Sequence, residues 1–536
     1  DLTGANLTGA DLRGADLALA DLEDAILIGT NLSLNGNNAT DLTGATLTNA
    51  KLSKADLTGA DLGKNAANSG TVTNLTGADL KGAILKSADL EFANLTGANL
   101  TGADLTGATL TSIVIDGATT NFTSAILVGA DLSSDDLTNV DMEKADLRGA
   151  VLTSTDLEGA TLTGANLGKN GSTATNLTGA TLTNAKLSKA DLTGANLTNV
   201  NLAGTDLTGS DLTGATLSGN TFSATTNLTS AILTDVAGMA GRNMTGVDLE
   251  KADLRGADLS LTDLEDAILI GANLTDGTAK TDLTGATLTN AKLSKADLTG
   301  ADLGKNAANS GTVTNLTGAD LKGAILKSAD LEFANLTGAN LTGADLTGAT
   351  LTSIVIDGAT TNFTSAILVG ADLSSDDLTN VDMEKADLRG AVLTSTDLEG
   401  ATLTGANLGK NGSTATNLTG ATLTNAKLSK ADLTGANLTN VNLAGTDLTG
   451  SDLTGATLSG NTFSATTNLT SATLTDVAGL AGRDMTGVDL EKADLRGADL
   501  SLTDLEDAIL IGANLTDGAA KTDLTGATLT NAKLSK

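Results

Sequence analysis

The stretch "NLTGANLTGADLTGATLTS", Asn94 to Ser112, repeats a five-residue word almost without variation. Leu stands at every fifth place (Leu95, Leu100, Leu105, Leu110). A small residue stands two places before each of the last three, with Asn, Asp or Thr between them. A period of five matches neither the 3.6-residue turn of an α-helix nor the two-residue alternation of a strand. Such a word is one element of a repeat architecture whose core is built by stacking. Working outward, the same phase runs through Leu2, Leu7, Leu12, Leu17, Leu22, Leu27 and Leu32. It holds again over Leu75–Leu110, over Leu127–Leu167 with Met142 as a substitute, and over Leu177–Leu217.

A second repetition lies above the first. Residues 41–295 return as residues 282–536, an offset of 241, with four differences in 255 positions: Ile232 against Thr473, Met239 against Leu480, Asn243 against Asp484 and Thr278 against Ala519. "ADLRGADL" at Ala10 recurs at Ala252, so 1–40 reads as the diverged end of the same unit. The organisation expected is the end of a partial unit (1–40), a full unit (41–281), a second full unit (282–522) and the start of another (523–536). These are expected to form one continuous solenoid, cut from a longer array because the chain starts and stops inside units.

The word A-[D/N]-L-x-x, met dozens of times from end to end, resembles the motif of the pentapeptide-repeat proteins. The resemblance implies an all-β fold, a right-handed quadrilateral β-helix with one word per side and about 20 residues per coil. It also implies that the Leu and the Ala two places before it point inward. Elementary packing agrees. Coils stacked at the strand spacing of about 4.8 Å leave a narrow interior with room for one large side chain per side. The Gly that closes many words suits a backbone that must turn at each corner. Across the whole chain this gives roughly 27 coils and a rod of roughly 130 Å at that spacing.

Composition narrows function. The 536 residues include no Cys, His, Pro, Trp or Tyr and only 6 Phe, so the Ser/His/Asp and Cys/His catalytic arrangements cannot be built. Carboxylate pairs are the remaining acid–base chemistry, and "SSDD" at 133–136 is where to seek them, but similar carboxylates recur on every side with no cleft singled out, so no enzyme is expected. A net charge of −33 argues against nucleic-acid binding, which needs clustered Lys and Arg. No apolar run approaches the roughly 20 residues of a membrane-spanning helix.

The Leu phase breaks after Leu62, Ile115, Leu167, Phe222 and Leu274, at spacings of 53, 52, 55 and 52 residues, with a further break at 234–242. These Gly-, Asn-, Ser- and Thr-rich segments read as surface loops at a regular pitch, suited to lateral contact. Two acidic features invite calcium, and no other cofactor is expected. With four words per coil, Asp1, Asp21, Asp41 and Asp61 are expected to form one column of carboxylates, where like charges about 4.8 Å apart repel by roughly 1 kcal/mol in water. Asp11, Asn31 and Lys51 would form a diluted one. Asp135 and Asp376, beside Asp136 and Asp377, fall where inward Ala normally sits. Either the backbone bulges there and exposes the carboxylate, or a hydroxyl, amide or cation compensates it.

The function expected is a structural, extracellular or cell-surface β-helical rod or filament whose partner is itself, end to end or side by side. Glycans on sequons such as Asn6 and Asn94 are a weak further expectation, since the word generates the tripeptide automatically. The alternatives are an acidic DNA mimic of the gyrase-inhibitor type, as the family resemblance implies, which would be cytoplasmic, and a calcium-binding adhesin shaft.

Overall fold

The computed structural model describes residues 1–65, 70–276, 279–306, 311–516 and 521–535. They form two compact units, Asp1–Asp258 with Gly277–Ala279, and Leu259–Asp276 with Lys280–Lys536. Within each unit the chain winds as a right-handed quadrilateral β-helix. No helix long and apolar enough to cross a membrane occurs among the described residues.

Each word builds one side. The residue before Leu makes a single parallel bridge to the coils on either side, and where the repeat is unbroken these bridges step by four words, as in Asn74↔Asn94, Asp136↔Asp156 and Asn176↔Asn196. Two main-chain hydrogen bonds carry each contact: at Asn74↔Asn94 the Leu75 N–H donates to the Asn94 carbonyl (2.7 Å) and the Asn94 N–H to the Thr73 carbonyl (2.9 Å). Corners are four-residue turns. The Ala98 N–H closes one on the Leu95 carbonyl (2.9 Å), and Gly97, its third residue, has φ of 66°. That left-handed position favours Gly.

The remaining letters of the word are explained by the same corner. Asn94 Oδ1 accepts both the Thr96 N–H (3.0 Å) and the Thr96 hydroxyl (2.7 Å), and Asp56 Oδ1 does the same for Thr58 (3.0 and 2.6 Å). A short carboxylate or amide before Leu therefore holds the N–H that enters the turn, a role Asn and Asp fill well.

Inside, Leu95, Leu100 and Leu105 with Ala98 and Ala103 are fully buried, and the pattern continues along both units. Fully burying a Leu side chain is worth about 1.5–3 kcal/mol. Phe122 and Met142 take the Leu place, and Thr takes the Ala place at Thr155 and Thr205. Each of these hydroxyls donates to the carbonyl of a Leu one coil earlier, Leu132 (2.8 Å) and Leu182 (2.7 Å), so the buried oxygen is satisfied.

The breaks are loops, and each shifts the coil register. Thr46 bridges Asn74 over the segment after Leu62, Asn99 bridges Asn121 over that after Ile115, and Val151 bridges Asn176 over that after Leu167. The segments after Leu62 and Leu274 are described only in part, since 66–69 and 277–278 lie outside the described residues. The first is rooted in an antiparallel hairpin, β1 (Lys64–Asn65) with β2 (Thr71–Val72); β3 (Lys305–Asn306) and β4 (Thr312–Val313) repeat it. A further loop at 33–40 was not foreseen. It inserts the length of one word, so it keeps the Leu phase while moving every later word one side round, and Asp16 bridges Asp41, a whole word beyond the usual step.

The core predicts its own sensitivity. Leu147 is fully buried, so Leu147→Asp places a charge where no partner exists and should cost several kcal/mol. The expected result is a clear fall in the midpoint of the thermal transition followed by circular dichroism, while an unchanged melt would show that Leu147 is not an inward place.

Candidate functional site

The insertion at 33–40 rearranges the acidic columns. Asp1 and Asp21 stack on each other, because the Leu2 N–H donates to the Asp21 carbonyl (2.7 Å), but Asp21 then bridges Thr46. Asp41 and Asp61 belong to a different column, running Asp16, Asp41, Asp61, Asp89. The expected single ladder of Asp1, Asp21, Asp41 and Asp61 is therefore two. Likewise Asn31 bridges Asp56 rather than Lys51. In the second unit Asp282, Asp302 and Asp330 form the corresponding column.

Stacked carboxylates in these columns hold neighbouring N–H groups. Asp41, Asp61 and Asp89 accept those of Thr43 (2.9 Å), Gly63 (3.0 Å) and Glu91 (2.9 Å). Burial nevertheless raises the pKa of Asp61, opposed by the Gly63 N–H and reinforced by the charges of Asp89 and Asp41. Among the described residues, no group of three or more His, Cys, Asp or Glu side chains is placed to hold a metal ion.

Asp135 and Asp136 are neighbours in sequence and separated in space. Asp136 lies outside, bridges Asp156 and accepts hydrogen bonds from Thr138, its N–H at 3.1 Å, which hold its carboxyl below the usual range; Asp377 behaves identically with Thr379 (3.1 Å). Asp135 lies inside, 3 % exposed, as does Asp376. No bulge exposes it. Its backbone keeps the coil contact, with the Asp156 N–H on its carbonyl (2.9 Å), and Oδ1 accepts the buried Ile113 N–H (3.1 Å), so an amide provides the compensation. Oδ2 has no partner. Burial therefore pushes the carboxyl up to about 7, against the N–H groups of Ile113 and Ser112, with Asp131 adding repulsion.

The chain contains its own neutral counterpart, which sequence reading passed over. Asn220 and Asn461 also occupy the inward place, two residues before an aromatic at the Leu position, and Asn220 Oδ1 accepts the Val200 N–H (3.0 Å) just as Asp135 accepts that of Ile113. The signal was the Asn two places before Phe222. An Asn in this place meets the same backbone donor without carrying a charge.

The sign of the pH effect follows. A carboxyl raised from 3.8 to about 7 binds its proton more tightly in the folded state, so its contribution to stability is full below about 4 and is lost as pH rises to 7. At most this is about 4 kcal/mol per carboxyl. Asp135→Asn with Asp376→Asn should melt at a higher temperature than the parent at pH 8, and the gap should shrink towards pH 4. A gap independent of pH, measured by calorimetry, would show that these carboxyls are ionised inside the fold.

Comparison with known proteins places this architecture. None of the curated proteins searched matches the chain significantly. A family model described as pentapeptide repeats (8 copies) matches residues 1–34, 38–63, 73–111, 136–168, 175–214, 195–236, 243–277, 279–304, 314–352, 377–409, 416–455, 436–477 and 484–517. Among solved structures, HetL, a pentapeptide repeat protein involved in heterocyst differentiation regulation from the cyanobacterium Nostoc sp. strain PCC 7120, is 32% identical. That match covers 52% of this chain and 91% of HetL, with a TM-score of 0.21. A pentapeptide repeat protein from the Arabidopsis thaliana thylakoid lumen is 33% identical over 20% of this chain and 69% of its own, with a TM-score of 0.13. QnrB1, a plasmid-mediated fluoroquinolone resistance protein, is 20% identical over 45% of this chain and 89% of its own, with a TM-score of 0.18. The family-model match extends over most of the sequence, and the chain belongs to the pentapeptide-repeat family.

Proposed function

We propose that this chain is a non-enzymatic structural protein, a rigid β-helical rod that assembles into filaments at the cell surface or outside the cell. The observation that carries the reading is duplication without specialisation. The inward Asp135 recurs as Asp376, the inward Asn220 as Asn461, and the β1–β2 hairpin as β3–β4, each with the same contacts. A second copy of the unit adds length and repeats every surface without creating a new one. The stacking interface supports the same reading, because the regular coils offer the same main-chain groups and a layer of Leu and Ala, so their edges complement one another.

Side-to-side contact through the loops completes the proposal, with calcium as a weak bridging ion between acidic faces of neighbouring molecules. Low salt should keep like-charged rods apart, and calcium should draw them together. The net charge of −33 favours one other reading, the acidic DNA mimic acting in the cytoplasm.

Negative-stain imaging of the native material across a calcium titration separates the two. Filaments that bundle as calcium rises are expected, with gold-labelled antibody on the outer surface of intact cells. Short separate particles of uniform length in every condition would overturn the filament reading, and inhibition of gyrase supercoiling by such particles would establish the mimic.

A further inference from the structure

At the root of its hairpin each unit carries an open cavity, about 540 Å³ in the first and about 520 Å³ in the second. In the first unit it is lined by Asp61, Asp89, Glu91, Lys64 and Phe92. Asp61 and Asp89 lie on adjacent coils joined by a bridge, and each uses Oδ1 on the N–H two residues ahead. Neither Oδ2 makes a hydrogen bond among the described residues. Gly63 keeps the space between them open, since a Cβ there would lie 3.3 Å from Asp61 Oδ1 and 3.7 Å from Asp89 Oδ1. In the second unit the Lys280 ammonium already lies 3.4 Å from Asp302 Oδ2, so a cation can reach this carboxylate.

The opposite wall is aromatic. Phe92 stands at a corner position with φ of 65°, a conformation that disfavours a large side chain, and it is half-buried, outside the core that encloses Phe122. The Lys64 ammonium lies 5.2 Å from the ring centroid, and Lys305 lies 5.3 Å from that of Phe333. The Lys64 stem runs over Gly70, where a Cβ would come within 2.1 Å of Cε. The cavity thus already holds one ammonium of its own chain against a ring face, with two carboxylates beside it.

We infer that this cavity binds an alkylammonium chain, one ammonium replacing that of Lys64 on the face of Phe92 and a second meeting Asp61 and Asp89. The column continues from Asp61 to Asp41 and Asp16, and in the second unit from Asp302 to Asp282. Rungs about 4.8 Å apart suit amines joined by three- or four-carbon spacers. The ring selects the class of cation. A π face attracts a weakly hydrated organic ammonium, whereas calcium requires six to eight oxygens that this wall does not supply. The inference stands apart from the filament reading, since it concerns each unit by itself.

Isothermal titration of the whole chain at physiological salt, with spermidine in one arm and trilysine in the other, tests it. Two saturable sites per chain are expected. Phe92→Leu with Phe333→Leu leaves the charge unchanged and should weaken binding about five- to tenfold. Leu is compatible with the corner, because Leu19 and Leu261 hold the same left-handed conformation (φ 60° and 58°). Gly63→Ala with Gly304→Ala, which puts a methyl between the carboxylates, should weaken binding independently of the ring. Tighter binding of spermidine would assign a free polyamine, and tighter binding of trilysine a lysine-bearing partner. Parental affinity in both double variants, with unchanged circular dichroism, would mean attraction to the overall negative charge alone and would overturn the site.

Discussion

The structure depends on the contact between one coil and the next. Each side offers a neighbour two main-chain hydrogen bonds, such as those joining Leu75 to Asn94 and Asn94 to Thr73, and the resulting close approach leaves an interior only wide enough for a Leu and an Ala per side. Every letter of the repeated word answers to that spacing. Leu fills the tube, Ala leaves room for it, Gly or another tolerated residue takes the left-handed corner, and Asp or Asn holds the N–H that enters the turn.

The same narrowness decides which polar groups can enter. A Thr hydroxyl at the Ala place reaches a Leu carbonyl one coil back, as Thr155 and Thr205 do, and costs little. Asn220 and Asp135 are a little longer and reach an N–H instead, on Val200 and Ile113. Their second polar atoms, Asn220 Nδ2 and Asp135 Oδ2, find no partner. For an amide that is a lost hydrogen bond. For a carboxylate it is also an uncompensated charge, which is why burial holds the proton on Asp135 to much higher pH than on Asp136, one residue away and outside.

Outside, the solenoid absorbs small insertions without changing how its words stack. Extra residues leave the wall as loops, and each word still meets the fourth word after it. The two residues gained after Ile115 keep Asp104 over Ile126, and the loop at 33–40 likewise leaves Asp16 over Asp41, the fourth word on, at the head of the run of four Asp that leads to the hairpin cavity. Charge patterning along a side thus follows the order of the words and not the number of residues between them.

Leu every fifth residue with a small residue two places before it determined the fold, the inward and outward sets, and the doubling of every feature at an offset of 241, because those follow from local spacing that the chain carries in order. The loops were legible for the same reason wherever they disturbed the Leu phase. What only the tertiary structure decided was which side each word occupies and what faces it. The insertion at 33–40 is one word long, so it leaves the flanking Leu at a multiple of five while displacing every later word by one side from a count of twenty residues per coil, and Asp1 and Asp41 read as one column and lie in two. Nor could spacing show that the Ile113 N–H would meet Asp135, or that Lys64 would lie over Phe92 on the next coil, since those contacts join adjacent coils across loops whose length sets the register.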